Sequence, residues 1–218
     1  MYNSGFIIQE WIHGILNAEL CSPVQRGFCI FLHPVISNAM QDTIQVLDKK
    51  FVKYITASQI HDAISKVAEQ INEDYKNDNP VILITLNGAV FFAVDLLKQL
   101  RIPCRITCVK LSSYSGMQST NRVQNLIGLT EDLKGQRVLV IEDIIDTGRT
   151  YSHIAEILRD TGMRDMRIAT LTYKPEAYKL DLPIHYVGLS IPNKFIVGYG
   201  LDYDGYGRNY SDIYQVIE

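Results

Sequence analysis

From Met40 onward, apolar positions recur in two periods that alternate along the chain. Ile60, Ile64, Val67 and Ile71 stand at helical spacing behind Thr56-Ala57-Ser58-Gln59, which has capping-box form, so a helix is predicted to about Tyr75. Lys76-Asn77-Asp78-Asn79-Pro80 breaks it. Val81–Leu86 then runs apolar, as a strand buried on both faces does. Asn87-Gly88 turns the chain, 89–100 carries a helical apolar stripe, and 104–111 reads as extended. The polar stretch 112–125, rich in small residues, is a long loop of the kind usually retained for function. A second continuous apolar strand, 138–141, leads through an acidic turn into a helix carrying Ile154, Ile157 and Leu158 that stops at Gly162. Further strands are predicted at 166–173, 184–191 and 195–201. Strands alternating with helices imply an α/β fold, a parallel sheet wrapped by helices.

The first 39 residues break this pattern. They hold the one tryptophan, Trp11, two of the four cysteines and a short apolar run at 28–32. A secretory leader has a basic region before its apolar core, whereas here Glu10 and Glu19 precede the first basic residue, Arg26. The segment reads as an extension, dispensable or non-native, ahead of a second start at Met40; Ser37-Asn38-Ala39 resembles the scar of a cleaved tag. The competing reading is an amphipathic helix packed on the domain. Residues 40–218 are then one domain, and at this length a chain buries about 70% of the surface it exposes when unfolded.

A net charge of -3, from 21 basic and 24 acidic residues, argues against nucleic-acid or membrane-surface partners but not against a phosphate ligand, which needs only a few local donors. Four scattered cysteines make no disulfide framework, and the five histidines show no metal spacing. A reducing, cytoplasmic location is the resulting expectation, and no apolar run is long enough for a transmembrane helix.

In a parallel sheet, ligands sit at the carboxyl ends of the strands. There, residues 138–150 read VLVIEDIIDTGRT, with one glycine and neither dinucleotide nor Walker spacing. Asp146-Thr147-Gly148-Arg149-Thr150 bends into a helix N-terminus. Gly148 allows close backbone approach, and free amides plus the hydroxyls of Thr147 and Thr150 form a cradle for one phosphate. Glu142, Asp143 and Asp146 crowd the end of a buried strand, where unpaired charge costs several kcal/mol. Acids beside a phosphate cradle point to a metal-chelated, hydroxyl-bearing sugar phosphate. The bland alternative is a set of acids that cap the helix.

The 138–150 stretch resembles the phosphoribosyl-pyrophosphate (PRPP) signature of the type I phosphoribosyltransferases. YKP at 173–175, IPNKFIVGYGLDYDGYGRN at 191–209 and LSSYSGMQST at 111–120 are similar to the hypoxanthine-guanine branch, and the likeness covers about residues 42–218. The resemblance implies a parallel twisted sheet flanked by helices, with a small hood from sequence near 42–58 and 174–218. It implies Mg²⁺ as cofactor, PRPP and 6-oxopurines as substrates, and a homodimer or homotetramer. Glu142 and Asp143 would address the ribose hydroxyls, in part through metal, and Asp202 a second metal on the pyrophosphate side. Asp146 would exchange the proton at purine N7, and Thr147, Gly148, Arg149 and Thr150 would hold the 5′-phosphate. Lys174 would donate to the purine 6-oxo group, Phe195 stack on the base, and Ile196 bind its edge through backbone, with Lys194 close to base and phosphate. Arg208 would grip pyrophosphate, and Ser113 and Tyr114 belong to a loop that closes during reaction. One departure stands out. Many relatives carry a lysine in the pyrophosphate loop, but this chain has Leu86-Asn87-Gly88-Ala89, leaving the backbone around Asn87 and Gly88 to bind the anion. The other class of function compatible with the signature is a PRPP-sensing regulator that binds nucleic acid. The net charge and the lack of a basic stripe count against it, and Lys174, Phe195 and Asp202 serve a base rather than PRPP alone.

Overall fold

A computed structural model of the protein describes residues 43–111, 126–127, 129 and 131–217. The 1–39 extension and the loop residues Ser113 and Tyr114 lie outside them.

Helix α1 (Ala57–Asp74) starts as its sequence requires. The Thr56 side chain accepts from the Gln59 N–H, and the Gln59 side chain accepts from the Thr56 N–H at 2.9 Å, so both capping-box bonds form. Its buried face is Ile60, Ala63, Ile64, Val67, Ala68 and Ile71. Helix α2 (Val90–Leu97) is shorter than its apolar stripe, because the chain leaves the helix in a turn at 98–100. Helix α3 (Arg149–Arg159) begins at Gly148.

The core sheet contains β3 (Val81–Leu86), β4 (Arg105–Leu111), β5 (Leu126–Ile127), β6 (Arg137–Ile145), β7 (Asp165–Tyr173) and β8 (Tyr186–Ser190), in the order β5-β4-β3-β6-β7-β8. Strands β4, β3, β6, β7 and β8 run parallel, and β5 closes one edge antiparallel. Alternate side chains of the central strands serve two cores. Ile82, Ile84, Leu139 and Ile141 pack with α1 and α2, while Val81, Leu83, Val138 and Val140 pack with Tyr151, Ile154 and Leu158 of α3. Burial on both faces explains why these strands read as unbroken apolar runs.

A second sheet, built from β1 (Thr43–Val46), β2 (Lys49–Ile55), β9 (Ile196–Val197) and β10 (Ile213–Val216), is antiparallel in the order β1-β2-β10-β9. It forms the expected hood around Ile44, Val46, Phe51, Val197 and Tyr214. The hood is smaller than the sequence ranges implied, since β8 belongs to the core sheet. The strand expected at 195–201 survives only as β9. Left-handed backbone at Gly198, Tyr199 and Gly200 turns the chain before it can extend. The strand expected at 138–141 runs on to Ile145, which places both acids of the Glu142-Asp143 pair inside β6. Among the described residues, no helix is long and apolar enough to cross a membrane.

Candidate active site

Chain order reverses between β3 and β6. The connection from β3 leads outward to β4, and that from β6 leads the other way to β7. The carboxyl ends of these two neighbours therefore part around a crevice, where parallel sheets bind ligands. From β3 come Thr85 and the turn Asn87-Gly88, entered through a cis Leu86–Asn87 peptide bond. From β6 come Glu142, Asp143 and Asp146, followed by the start of α3.

Two adjoining clefts result. One, of about 250 Å³, is lined by Thr85, Leu86, Asn87, Gly88, Glu142, Asp143, Thr150, Asp202 and Arg208. The other, of about 120 Å³, is lined by Glu142 and by residues 144–151. Glu142 and Thr150 belong to both and join them. Twelve of the residues singled out from sequence thus converge from the ends of three strands, one helix start and the hood, once Lys174 at the end of β7 is added through its contact with Asp146.

Gly148 caps α3 at φ 84°, and no side chain caps the helix, so the amides of the first turn stay directed at the smaller cleft. Asp146 does not fill the capping role that the bland reading gave it. Its carboxylate accepts instead from Lys174 Nζ at 2.7 Å. Lys174 is deeply buried, with a side chain 7% exposed, whereas that of Asp146 is 42% exposed. The ammonium is held in place by an acid that itself faces the cleft. A strand-end lysine in solvent, the alternative for Lys174, is excluded.

Glu142 is buried beside Thr85 and Asp143. The Thr85 hydroxyl contacts the Glu142 carboxylate and also lies 2.8 Å from the Ile141 carbonyl. The hydroxyl has one proton to share between these two acceptors. Burial pushes the Glu142 carboxyl well above the usual range and the neighbouring Asp143 adds to the shift, against the opposing pull of the Thr85 hydroxyl. Burial also raises Asp143, against the opposing pull of the Ile144 N–H at 2.9 Å and of Arg208. Gly88 makes room for this carboxylate: a Cβ there would lie 1.6 Å from Asp143 Oδ2.

From the hood, Arg208 Nη2 pairs with Asp202 Oδ1 at 2.6 Å, and Nη1 donates to the Gly200 carbonyl at 2.6 Å. Phe195 is 44% exposed at the hood edge, with ring centroids 5.8 Å from Tyr203 and 6.3 Å from Phe51, so it is not a core phenylalanine. Ile196 is buried in β9, and Lys194 is exposed beside it. These three hood residues line neither cleft.

Sequence reasoning missed Thr85, although a lone hydroxyl in the apolar run VILITL was a usable signal. It also missed Tyr178 and Leu180, which pack against Gly148 so closely that a Cβ there would lie 2.6 and 2.8 Å from them. No local signal marks those two.

Comparison with known proteins agrees with this geometry. Residues 56–204 match the family described as phosphoribosyl transferase domain. The hypoxanthine phosphoribosyltransferase of Salmonella typhimurium is 37% identical over 167 residues, 75% of this chain and 90% of the relative. The hypoxanthine-guanine phosphoribosyltransferase of Mycobacterium tuberculosis is 39% identical over 166 residues, 73% and 82% of the two chains. Among solved structures, a hypoxanthine phosphoribosyltransferase from Staphylococcus aureus superposes with a TM-score of 0.70 at 34% identity, covering 84% of this chain and 96% of that one. A crevice at the sheet's switch point, an uncapped helix start beside paired acids and a match across most of the chain identify the protein as a member of the phosphoribosyl transferase domain family.

Proposed function

We propose that this chain is a purine-salvage phosphoribosyltransferase that joins hypoxanthine, and also guanine, to the ribose 5-phosphate of PRPP and releases pyrophosphate. The observation that carries this reading is the Lys174–Asp146 pair at the mouth of a phosphate cradle. A sugar-phosphate site alone needs no buried lysine aimed beside it. A purine with an acceptor at position 6 and a basic nitrogen at position 7 uses both members at once.

On this reading the first-turn amides of α3, with Thr147, Gly148, Arg149 and Thr150, hold the 5′-phosphate. Glu142 and Asp143 accept from the ribose hydroxyls. Lys174 donates to the 6-oxo group, and Asp146 exchanges the N7 proton, a transfer worth roughly 10²–10⁴ in rate. Phe195 stacks on the base, Ile196 meets its edge through backbone, and Lys194 lies near base and phosphate. Arg208 and the backbone of Asn87 and Gly88 receive the leaving pyrophosphate. Residues 1–39, Ser113 and Tyr114 keep the roles expected of a dispensable extension and a closing loop.

The larger cleft argues for Mg²⁺. Glu142, Asp143 and Asp202 line it against one cation, Arg208, yet its proposed ligand is a polyanion. Burial raises two of these carboxyls, and a cation bound beside them would offset the cost of their charge. Among the described residues, no three His, Cys, Asp or Glu side chains converge to hold a metal alone. Such a donor set fits Mg²⁺, which is bound through one or two carboxylates together with waters and substrate phosphates. Glu142 and Asp143 would hold one ion and Asp202 a second on the pyrophosphate side, and when bound the metal would neutralise charge developing on pyrophosphate.

Spectrophotometric turnover of hypoxanthine and of adenine, each with PRPP and Mg²⁺, tests the reading. Lys174 has three donors and no acceptor, so the 6-amino group of adenine meets donor with donor. A site built around such a bond discriminates by about 10⁴. Comparable turnover of adenine would remove the 6-oxopurine assignment and the role given to Lys174.

A further inference from the structure

We propose that Tyr199 is a positioning residue for the pyrophosphate side of the site: by donating to Asp95 it fixes the hood turn that aims Arg208 and Asp202 into the larger cleft. The inference rests on the reading of that cleft given above.

With asparagine at position 87, Arg208 is the one cation lining the cleft among the described residues, so anion binding depends on where its guanidinium sits. That position is referenced to the hood turn. Nη1 donates to the Gly200 carbonyl at 2.6 Å, the Gly200 N–H donates to the Arg208 carbonyl at 2.9 Å, and Nη2 pairs with Asp202 at 2.6 Å. Asp202 Oδ2 in turn accepts from the Gly205 N–H at 2.7 Å. Displacing the turn displaces the arginine.

The turn is also pressed against the loop it faces. A Cβ on Gly200 would stand 2.1 Å from the Gly88 carbonyl oxygen, so the two backbones are in direct contact. Three successive residues adopt left-handed backbone, Gly198 at φ 100°, Tyr199 at 49° and Gly200 at 97°. Glycine does so freely. A tyrosine does so only where its surroundings hold it. Tyr199 is buried, its ring centroid lies 6.0 Å from that of Phe91, and its N–H donates to the Tyr210 carbonyl at 2.8 Å. Its hydroxyl donates to Asp95 Oδ2 at 2.6 Å. Asp95 stands on α2, the helix that starts directly after Asn87-Gly88-Ala89. One short charge-assisted bond thus ties the arginine's turn to the element that carries the opposing loop. Lys98 holds the other Asp95 oxygen at 3.0 Å, so the carboxylate keeps a partner if the phenol is removed.

The test uses the full chain and Mg²⁺-pyrophosphate as titrant, with steady-state kinetics alongside. Tyr199→Phe is expected to weaken pyrophosphate binding and raise KM for PRPP by about tenfold, with kcat and KM for hypoxanthine within about twofold. Asp95→Leu should reproduce this, the double variant should be no worse than either single one, and Asp95→Asn, whose amide oxygen still accepts from the phenol, should restore binding to within about threefold. Equal pyrophosphate affinity in Tyr199→Phe and the parent chain would overturn the proposal, as would parallel rises in both KM values with a lowered melting temperature. A parent chain that does not bind pyrophosphate at all would instead overturn the reading of the cleft, and the inference with it.

Discussion

Gly88→Ala adds one methyl group at the point where the β3 turn meets β6. The added carbon would lie 1.6 Å from Asp143 Oδ2 and 2.5 Å from its Cγ, so contact at the usual separation needs a displacement of about 2 Å. Neither side can yield cheaply. Rotating Asp143 away breaks the bond its Oδ1 accepts from the Ile144 N–H at 2.9 Å, worth about 1 kcal/mol. Withdrawing the turn drives the Gly88 carbonyl into Gly200 of the hood, which it already touches. Overpacking of this kind costs about 1–3 kcal/mol, which for a domain of this size lowers the melting temperature by roughly 3–10 °C. Function should suffer more. Asp143, Gly88 and Arg208 line one cleft, and misplacing reacting groups by about 1 Å costs on the order of 10²-fold in rate. Kinetics with PRPP varied at saturating hypoxanthine, beside a thermal melt, measure both effects. A Gly88→Ala variant with the parent kcat/KM for PRPP would refute the argument, because the acid and the turn would then not need their present contact.

Asp146→Asn keeps the shape of the acid but cannot exchange a proton, so kcat should fall by roughly 10²–10⁴ while PRPP affinity, measured by titration, changes little. Glu142→Gln should stabilise the ligand-free protein, since the amide oxygen still accepts from the Thr85 hydroxyl and no charge has to be buried. Burial raises the Glu142 carboxyl, so its favourable contribution is complete below the ordinary value of 4.5 and is lost as pH rises through the folded value. The gain in melting temperature for Glu142→Gln should therefore be larger at pH 8 than at pH 5, and an equal gain at both would contradict the shift. A chain begun at Met40 should fold and turn over at the full rate, since every residue assigned to the site lies beyond it; insoluble expression would show that residues 1–39 complete the fold.

Much of the core was legible because its signals are local. Two-sided burial makes β3 and the first half of β6 continuous apolar runs, and the Thr56–Gln59 capping box fixes the start of α1 to the residue. The helix start proposed as the phosphate cradle was legible for a similar reason: free amides and a left-handed glycine must be written contiguously, in residues 146–150. The hood was not. Its strands β1, β9 and β10 are four, two and four residues long, too short to carry a period. Strand β2 gains its stability by pairing with β10 from the far end of the chain.

Tertiary structure alone decided the partnerships within the site. Lys174 and Asp146 are 28 positions apart, and nothing in either neighbourhood says that the lysine turns inward onto the acid rather than outward to water. The length of β6 beyond Ile141 was equally hidden, because acids end a strand in a hydropathy pattern unless a neighbour pairs with them. Here Glu142 stands in register with Thr170 of β7, and Thr85 of β3 meets its carboxyl. Sequence by itself determined the order of elements and the chemistry available at the end of β6, since both follow from side chains adjacent in the chain. The geometry that puts this chemistry to use, with Gly88 against Asp143, Gly200 against Gly88 and Arg208 over the same cleft, arises only when distant segments pack, because each contact is set by the space that its partner leaves.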